Sequence, residues 1–202
     1  MDHKKGIFGW GAVLATIIMT ANTAHALPKF YLGGMYNSTS PSDGQSTAYA
    51  GTAGFGGMAG IQGMLGSLIG IELDVTYLQR SFDLTGKNIS VTGTYVDVPL
   101  LMWLNFAEFF GIGAGVYGTY GVGLSRSGKG ANSTAMTFGE ASLKSYTGGA
   151  MGAARISIFT SSFVGLFLEG RYLYGLFNHA SIDKFYYNDA QVLLGLRIGG
   201  GK

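Results

Sequence analysis

The segment Val164 to Leu176, VGLFLEGRYLYGL, constrains this chain more than any other. At the two-residue repeat of an extended strand, Val164, Leu166, Leu168, Tyr172, Tyr174 and Leu176 point one way and Glu169 and Arg171 the other. One face suits hydrocarbon and the opposite face carries paired charge. A soluble sheet turns its apolar faces inward and its charges to water. Here segment after segment repeats an apolar face with charges behind it, and few places are left to hide so much apolar surface. Closing the strands into a ring, with lipid outside and the polar faces turned inward, satisfies every backbone group without an edge. The fold class expected is therefore all-β: an eight-stranded antiparallel up-and-down transmembrane β-barrel.

Eight strand-like segments follow one another at residues 30–37, 49–62, 68–80, 94–106, 109–124, 143–159, 163–177 and 186–198. Most exceed the roughly 9 to 11 residues that a tilted strand needs to cross the hydrocarbon. Their connections alternate between tight turns (63–67, 107–108, 160–162) and longer polar loops (38–48, 81–93, 125–142, 178–185). That asymmetry is expected of a bacterial outer-membrane barrel, with short turns in the periplasm and loops outside.

The third segment sends Ile69, Ile71, Leu73, Val75 and Tyr77 outward and Glu72, Asp74, Thr76 and Arg80 inward. The fourth sends Val96, Val98, Leu100, Met102 and Leu104 outward and Asp97 and Asn105 inward, with a bulge expected where Pro99 removes a ladder donor. The fifth gives Ile112, Val116, Tyr120, Val122 and Leu124 to lipid and Gly111, Gly113, Gly115, Tyr117 and Thr119 to the interior. In the sixth, Arg155 shares a face with Ser145, Thr147 and Ser157; in the last, Val192, Leu194, Leu196 and Ile198 alternate with Gln191 and Arg197. The first two segments are too glycine-rich for a facing to be assigned.

The N-terminus supplies an address. Lys4 and Lys5 precede an apolar run from Gly6 to Ala21, and Ala24-His25-Ala26 has the small residues of an A-x-A site. A secretory signal peptide over residues 1–26, cleaved after Ala26, is expected, leaving residues 27–202 as the outer-membrane barrel domain. The chain has no cysteine, so a disulfide framework is excluded. A net charge of +2 without a basic cluster gives no footprint for nucleic acid.

Three stretches resemble the PorT-like outer-membrane β-barrel family. IELDVTYLQR at Ile71 to Arg80 is similar to that family's third strand. TYVDVPLLMWL at Thr94 to Leu104 is similar to its Pro-Leu-Leu segment and is followed by the glycine-rich GIGAGVYGTYGVG, although Trp103 stands where the family often has a basic residue. LEGRYLYGLFN at Leu168 to Asn178 is similar to its seventh strand. The resemblance implies an eight-stranded barrel in the outer membrane of a Gram-negative bacterium and little chemistry.

The inward charges form the one candidate constellation: Glu72, Asp74, Asp97 and Glu169 against Arg80, Arg155, Arg171 and Arg197. An eight-stranded barrel is only wide enough for its own side chains, so these are expected to pair into a polar lumen network. The function expected is then structural or surface-interacting, by a monomer that meets outer-membrane lipid and presents its loops to an extracellular ligand or protein. A narrow pore for small solutes is the alternative, and a lipid-modifying enzyme the third reading. The enzyme reading has only His179 and Ser181 to build on, in a polar loop with no acid placed behind the histidine, so His179 reads as solvated surface and no catalytic residue is assigned. No cofactor or metal site is expected, because the chain lacks cysteine and has a single histidine after residue 26. Tyr31, Tyr36, Tyr77, Tyr95, Trp103, Phe106, Phe109, Phe110, Tyr172 and Tyr186 read as interfacial girdles that anchor depth.

Overall fold

The structure, a computed structural model, describes residues 27–42, 49–84, 89–106, 109–128, 133–161, 163–179 and 186–200. The expected signal peptide and its cleavage site lie outside them, as does Ser181. Among the described residues nine strands are present: β1 (Lys29–Ser42), β2 (Tyr49–Leu65), β3 (Ile69–Leu84), β4 (Ile89–Phe106), β5 (Phe110–Gly128), β6 (Thr134–Met136), β7 (Tyr146–Thr160), β8 (Val164–Gly175) and β9 (Tyr186–Gly199). Each of the eight long strands pairs antiparallel with its sequence neighbour, β5 with β7 across the short β6, and β9 closes on β1 through Lys29↔Gly199 to Ser42↔Tyr186. The result is a closed eight-stranded antiparallel barrel. β6 lies outside that ring, adding to the loop-side end of β5 through Leu124↔Met136.

Closure follows from the two-residue alternation. Along β8 the odd-numbered residues from Gly165 to Gly175 are buried, and Leu168, Tyr172 and Tyr174 are exposed. On β3 the buried set is Glu72, Asp74, Thr76, Leu78, Arg80 and Phe82. The apolar set faces outward because only lipid can cover it without a desolvation cost.

Two points on β4 and β5 differ from the expected pattern. Pro99 produces no bulge: Leu73↔Leu100 and Thr76↔Asp97 keep one register, and the ladder is merely interrupted between Asp74–Val75 and Val98–Pro99. Pro99 is buried and still opposes Tyr117 of β5 without a shift. The bulge lies higher, where Thr94 pairs Gly123 but Tyr95 pairs Gly121, so Val122 is the extra residue. Past it the alternation of β5 flips, and Leu124, expected to face lipid, is buried at 5% exposure.

Exposed phenylalanines mark the turn side of the wall: Phe30, Phe106, Phe109, Phe159 and Phe163. Tyr36, Tyr77, Tyr120 and Tyr172 are exposed roughly 7 to 10 residues beyond the turn-side starts of their strands, the length that crosses the hydrocarbon. These two belts set the depth of the barrel.

Candidate functional site: the lumen and its cap

Seven of the eight charged residues expected to face inward reach the lumen interior, and they separate into two groups. On the loop side, Arg80 of β3 donates Nη1 and Nη2 to the two carboxylate oxygens of Asp97 on β4, at 3.1 and 2.7 Å, and Nε to Asp189 of β9 at 2.7 Å. Thr119 of β5 donates its hydroxyl to Asp97 Oδ1 at 2.7 Å. On the turn side, Arg155 of β7 donates to both oxygens of Glu72 at 2.8 and 2.6 Å and to Glu169 Oε2 at 2.6 Å. Arg171 donates Nε to the other oxygen of Glu169 and Nη2 to Asp74 Oδ2 at 2.8 Å. Each guanidinium thus spans the barrel from wall to wall. The planar fork suits this work, because it satisfies carboxylates in several directions at once.

Arg197 stands apart. It is half-buried at the turn end and donates Nη2 to the Ser161 carbonyl at 3.4 Å, with no ion pair among the described residues. Asp189 takes part instead, at 1% exposure, so five carboxylates and three guanidiniums are buried rather than four of each. Asp189 lies on the inner face of β9 with Gln191, two residues nearer the loop than the clear alternation from Gln191 to Ile198 extends.

Three aromatic residues assigned to the girdles fill the lumen instead. Tyr31, Tyr95 and Trp103 are exposed by 5%, 0% and 0%. The Arg155 guanidinium lies 4.0 Å from the Tyr31 ring centroid and 4.2 Å from that of Trp103, a cation–π sandwich that explains why both rings turn inward. Room for the indole comes from Gly113 on the adjacent strand, where a Cβ would meet the Trp103 ring at 3.0 Å. Between the two ion groups an apolar cluster of Leu101, Tyr117, Met151 and Leu173 continues from Trp103.

The loop-side mouth is closed from above. The β6 segment carries Phe138 over Gly121, whose missing side chain is what admits the ring. Phe138 stacks edge-on against Tyr95 at 5.9 Å and His179 at 6.4 Å, and His179 packs 4.7 Å from Tyr187. His179 is therefore not solvated surface; it is fully buried. Its carbonyl accepts from the Lys144 N–H at 2.7 Å, tying the two largest described loops together. Burial first, then the nearby charges of Arg80 and Lys144, push its pKa down from 6.5 to about 4.

The described side chains pack closely along the axis of the lumen. Glu72, Asp74, Leu78, Tyr95, Trp103, Glu169 and Leu193 expose 0%, and Arg80 and Asp97 expose 1%. No group of three or more metal-ligating side chains occurs among the described residues.

A closed barrel with an apolar outer band, two aromatic belts and a charged interior defines an integral outer-membrane β-barrel protein. Residues 11–199 match the outer membrane protein beta-barrel domain, and the chain belongs to that family. Among solved structures it is similar to Ail, the attachment invasion locus protein of Yersinia pestis, which was crystallised in complex with the heparin analogue sucrose octasulfate. The identity is 10%, the match covers 87% of this chain and 98% of that one, and the TM-score is 0.51. Neisserial surface protein A is 12% identical, with coverage of 84% and 96% and a TM-score of 0.50. OprG of Pseudomonas aeruginosa is 12% identical, with coverage of 88% and 98% and a TM-score of 0.50. At these identities the likeness is one of fold. No curated protein matches the sequence.

Proposed function

We propose that this protein is a non-enzymatic, monomeric surface-interaction barrel, exported by a signal peptide cleaved after Ala26, whose loops meet an extracellular ligand or protein. The observation that carries the reading is the filled lumen: two ion groups, an apolar layer and an aromatic cap leave the loops as the part able to engage a partner. The Ail complex supports it by example, since a barrel of this fold can hold a polyanionic saccharide analogue. The segments Ile71–Arg80, Thr94–Leu104 and Leu168–Asn178 support placing the chain with the PorT-like barrels, with no secretion role carried over.

The test is display of the full chain in the outer membrane of a bacterium lacking it, with binding scored on beads coated with a sulfated polysaccharide or with extracellular-matrix protein. Binding that disappears when the β5–β7 loop is replaced by a short turn supports the proposal. Binding indistinguishable from the parent strain on every surface, with the barrel inserted, contradicts it.

A further inference from the structure

The wall of the barrel differs between its two ends. Near the turns its exposed aromatics are phenylalanines, and toward the loops they are mainly tyrosines. The loop-side tyrosines are densest at the tops of β7, β8 and β9, where Tyr146, Tyr172 and Tyr174 are exposed and Tyr186 is half-buried. At the same place β8 leaves β9. The last pair is Tyr174↔Asn188; beyond it Leu176 and Phe177 bend toward β7, donating their N–H groups to the Gly148 carbonyl at 3.1 and 3.2 Å. The Thr147 hydroxyl holds the bend by donating to the Phe177 carbonyl at 2.9 Å. Because β9 continues to Tyr186 alongside β1, a groove of about 200 Å³ opens in the outer wall, lined by Tyr174, Gly175, Leu176, Tyr186 and Asn188.

We propose that this groove docks the saccharide headgroup of one outer-leaflet glycolipid. The groove lies on the lipid-facing side, at the loop end of the hydrocarbon band, so the molecules that reach it are lipids at headgroup depth. Its lining offers two phenolic hydroxyls and the Asn188 amide, whose Oδ1 already accepts from the Gly175 N–H at 3.2 Å. Among the described residues, no charged side chain lines it. That inventory matches neutral hydroxyl groups better than a phosphate, which calls for arginine or lysine. Tyrosine presents a ring to the acyl and sugar faces and a hydroxyl to the headgroup; the phenylalanines of the other rim have no such handle. The proposal depends on the loops facing outward, and its test separates that assumption from the groove itself.

The experiment is native mass spectrometry of the full barrel released from mixed micelles that contain a glucosyl diacylglycerol and phosphatidylglycerol in equal amounts. One retained glycolipid per barrel is expected. The double variant Tyr174→Phe/Tyr186→Phe removes only the two hydroxyls, and about a tenfold loss of retention is expected for hydrogen bonds of about 0.5 to 1.5 kcal/mol each. Tyr77→Phe, on the opposite wall, should retain the glycolipid unchanged. Equal retention of the two lipids, no effect of the double variant, or a second copy of the chain in place of lipid would each overturn the proposal. Surface proteolysis of intact cells reports orientation separately: cleavage at the turns with intact loops would refute the loop-outward arrangement whatever the micelle result.

Discussion

Replacing Arg80 with methionine keeps most of the side-chain volume and removes the charge that holds Asp97 and Asp189 together. The Thr119 hydroxyl would remain on Asp97 and the Thr39 hydroxyl on Asp189, but neutral hydroxyls do not offset two buried carboxylates. Breaking a buried pair on one side costs about 3 to 5 kcal/mol, roughly a hundredfold to several thousandfold in the folding equilibrium. For a urea dependence of about 2 kcal/mol per molar, the midpoint should fall by roughly 2 M. Trp103, the only tryptophan after residue 26, reports the transition from inside the lumen during refolding into lipid vesicles. The decisive comparison is Arg80→Met/Asp97→Asn/Asp189→Asn, which removes all three charges and should recover most of the loss. A midpoint shift below about 0.5 M for the single variant, or a triple variant less stable than the single, would refute the idea that these residues stabilise the lumen as a unit. Arg197→Ala is the built-in control. With a single 3.4 Å bond to a carbonyl, it should stay within about 0.5 kcal/mol of the parent.

Three further outcomes follow from the same geometry. Leu168→Arg should cost about 2 to 4 kcal/mol in refolding titrations, whereas Leu176→Arg, beyond the loop-side belt, should cost no more than about 1 kcal/mol. Gly121→Leu should expel Phe138 from the mouth and speed proteolysis of the β5–β7 loop while leaving the barrel's resistance to heat and detergent intact. His179 is held neutral while its unfolded counterpart gains a proton, so the cap should be unaffected above pH 6.5, weaken as pH falls toward about 4, and weaken no further below it. Loop protease sensitivity against pH follows this, and His179→Phe should flatten the profile.

The strand count, the closure and most of the facing were legible because lipid enforces a strict two-residue alternation that a single chain displays on its own. What was not legible depended on which strands meet. Trp103 reads as a girdle residue until Gly113 is set beside it and Arg155 across from it. Tyr31 and Tyr95 lie near the ends of the segments expected from sequence, where alternation alone does not tell an aromatic at the lipid interface from one that caps the interior. The bulge at Val122 carries no sequence mark, so the flip that buries Leu124 could be seen only from the register with β4. His179 sits in a polar loop, and its burial depends on β6 and Phe138, a short added hairpin that the eight-segment reading did not contain. Seven of the eight charges expected to pair do so inside the lumen, the four carboxylates in ion pairs with Arg80, Arg155 or Arg171. Arg197 fails because its strand ends there.

The filled lumen is most directly tested by planar-bilayer conductance of the refolded barrel, with insertion verified by heat-modifiable gel mobility and protease protection of the same preparation. The ion groups and the aromatic cap predict no discrete conductance steps above the seal from verified, inserted protein, and none after Gly121→Leu removes the cap alone, because Arg80, Arg155 and Arg171 still span the lumen. Stable steps from the unmutated barrel, repeated across insertions, would mean that the interior is hydrated and that the protein is a pore.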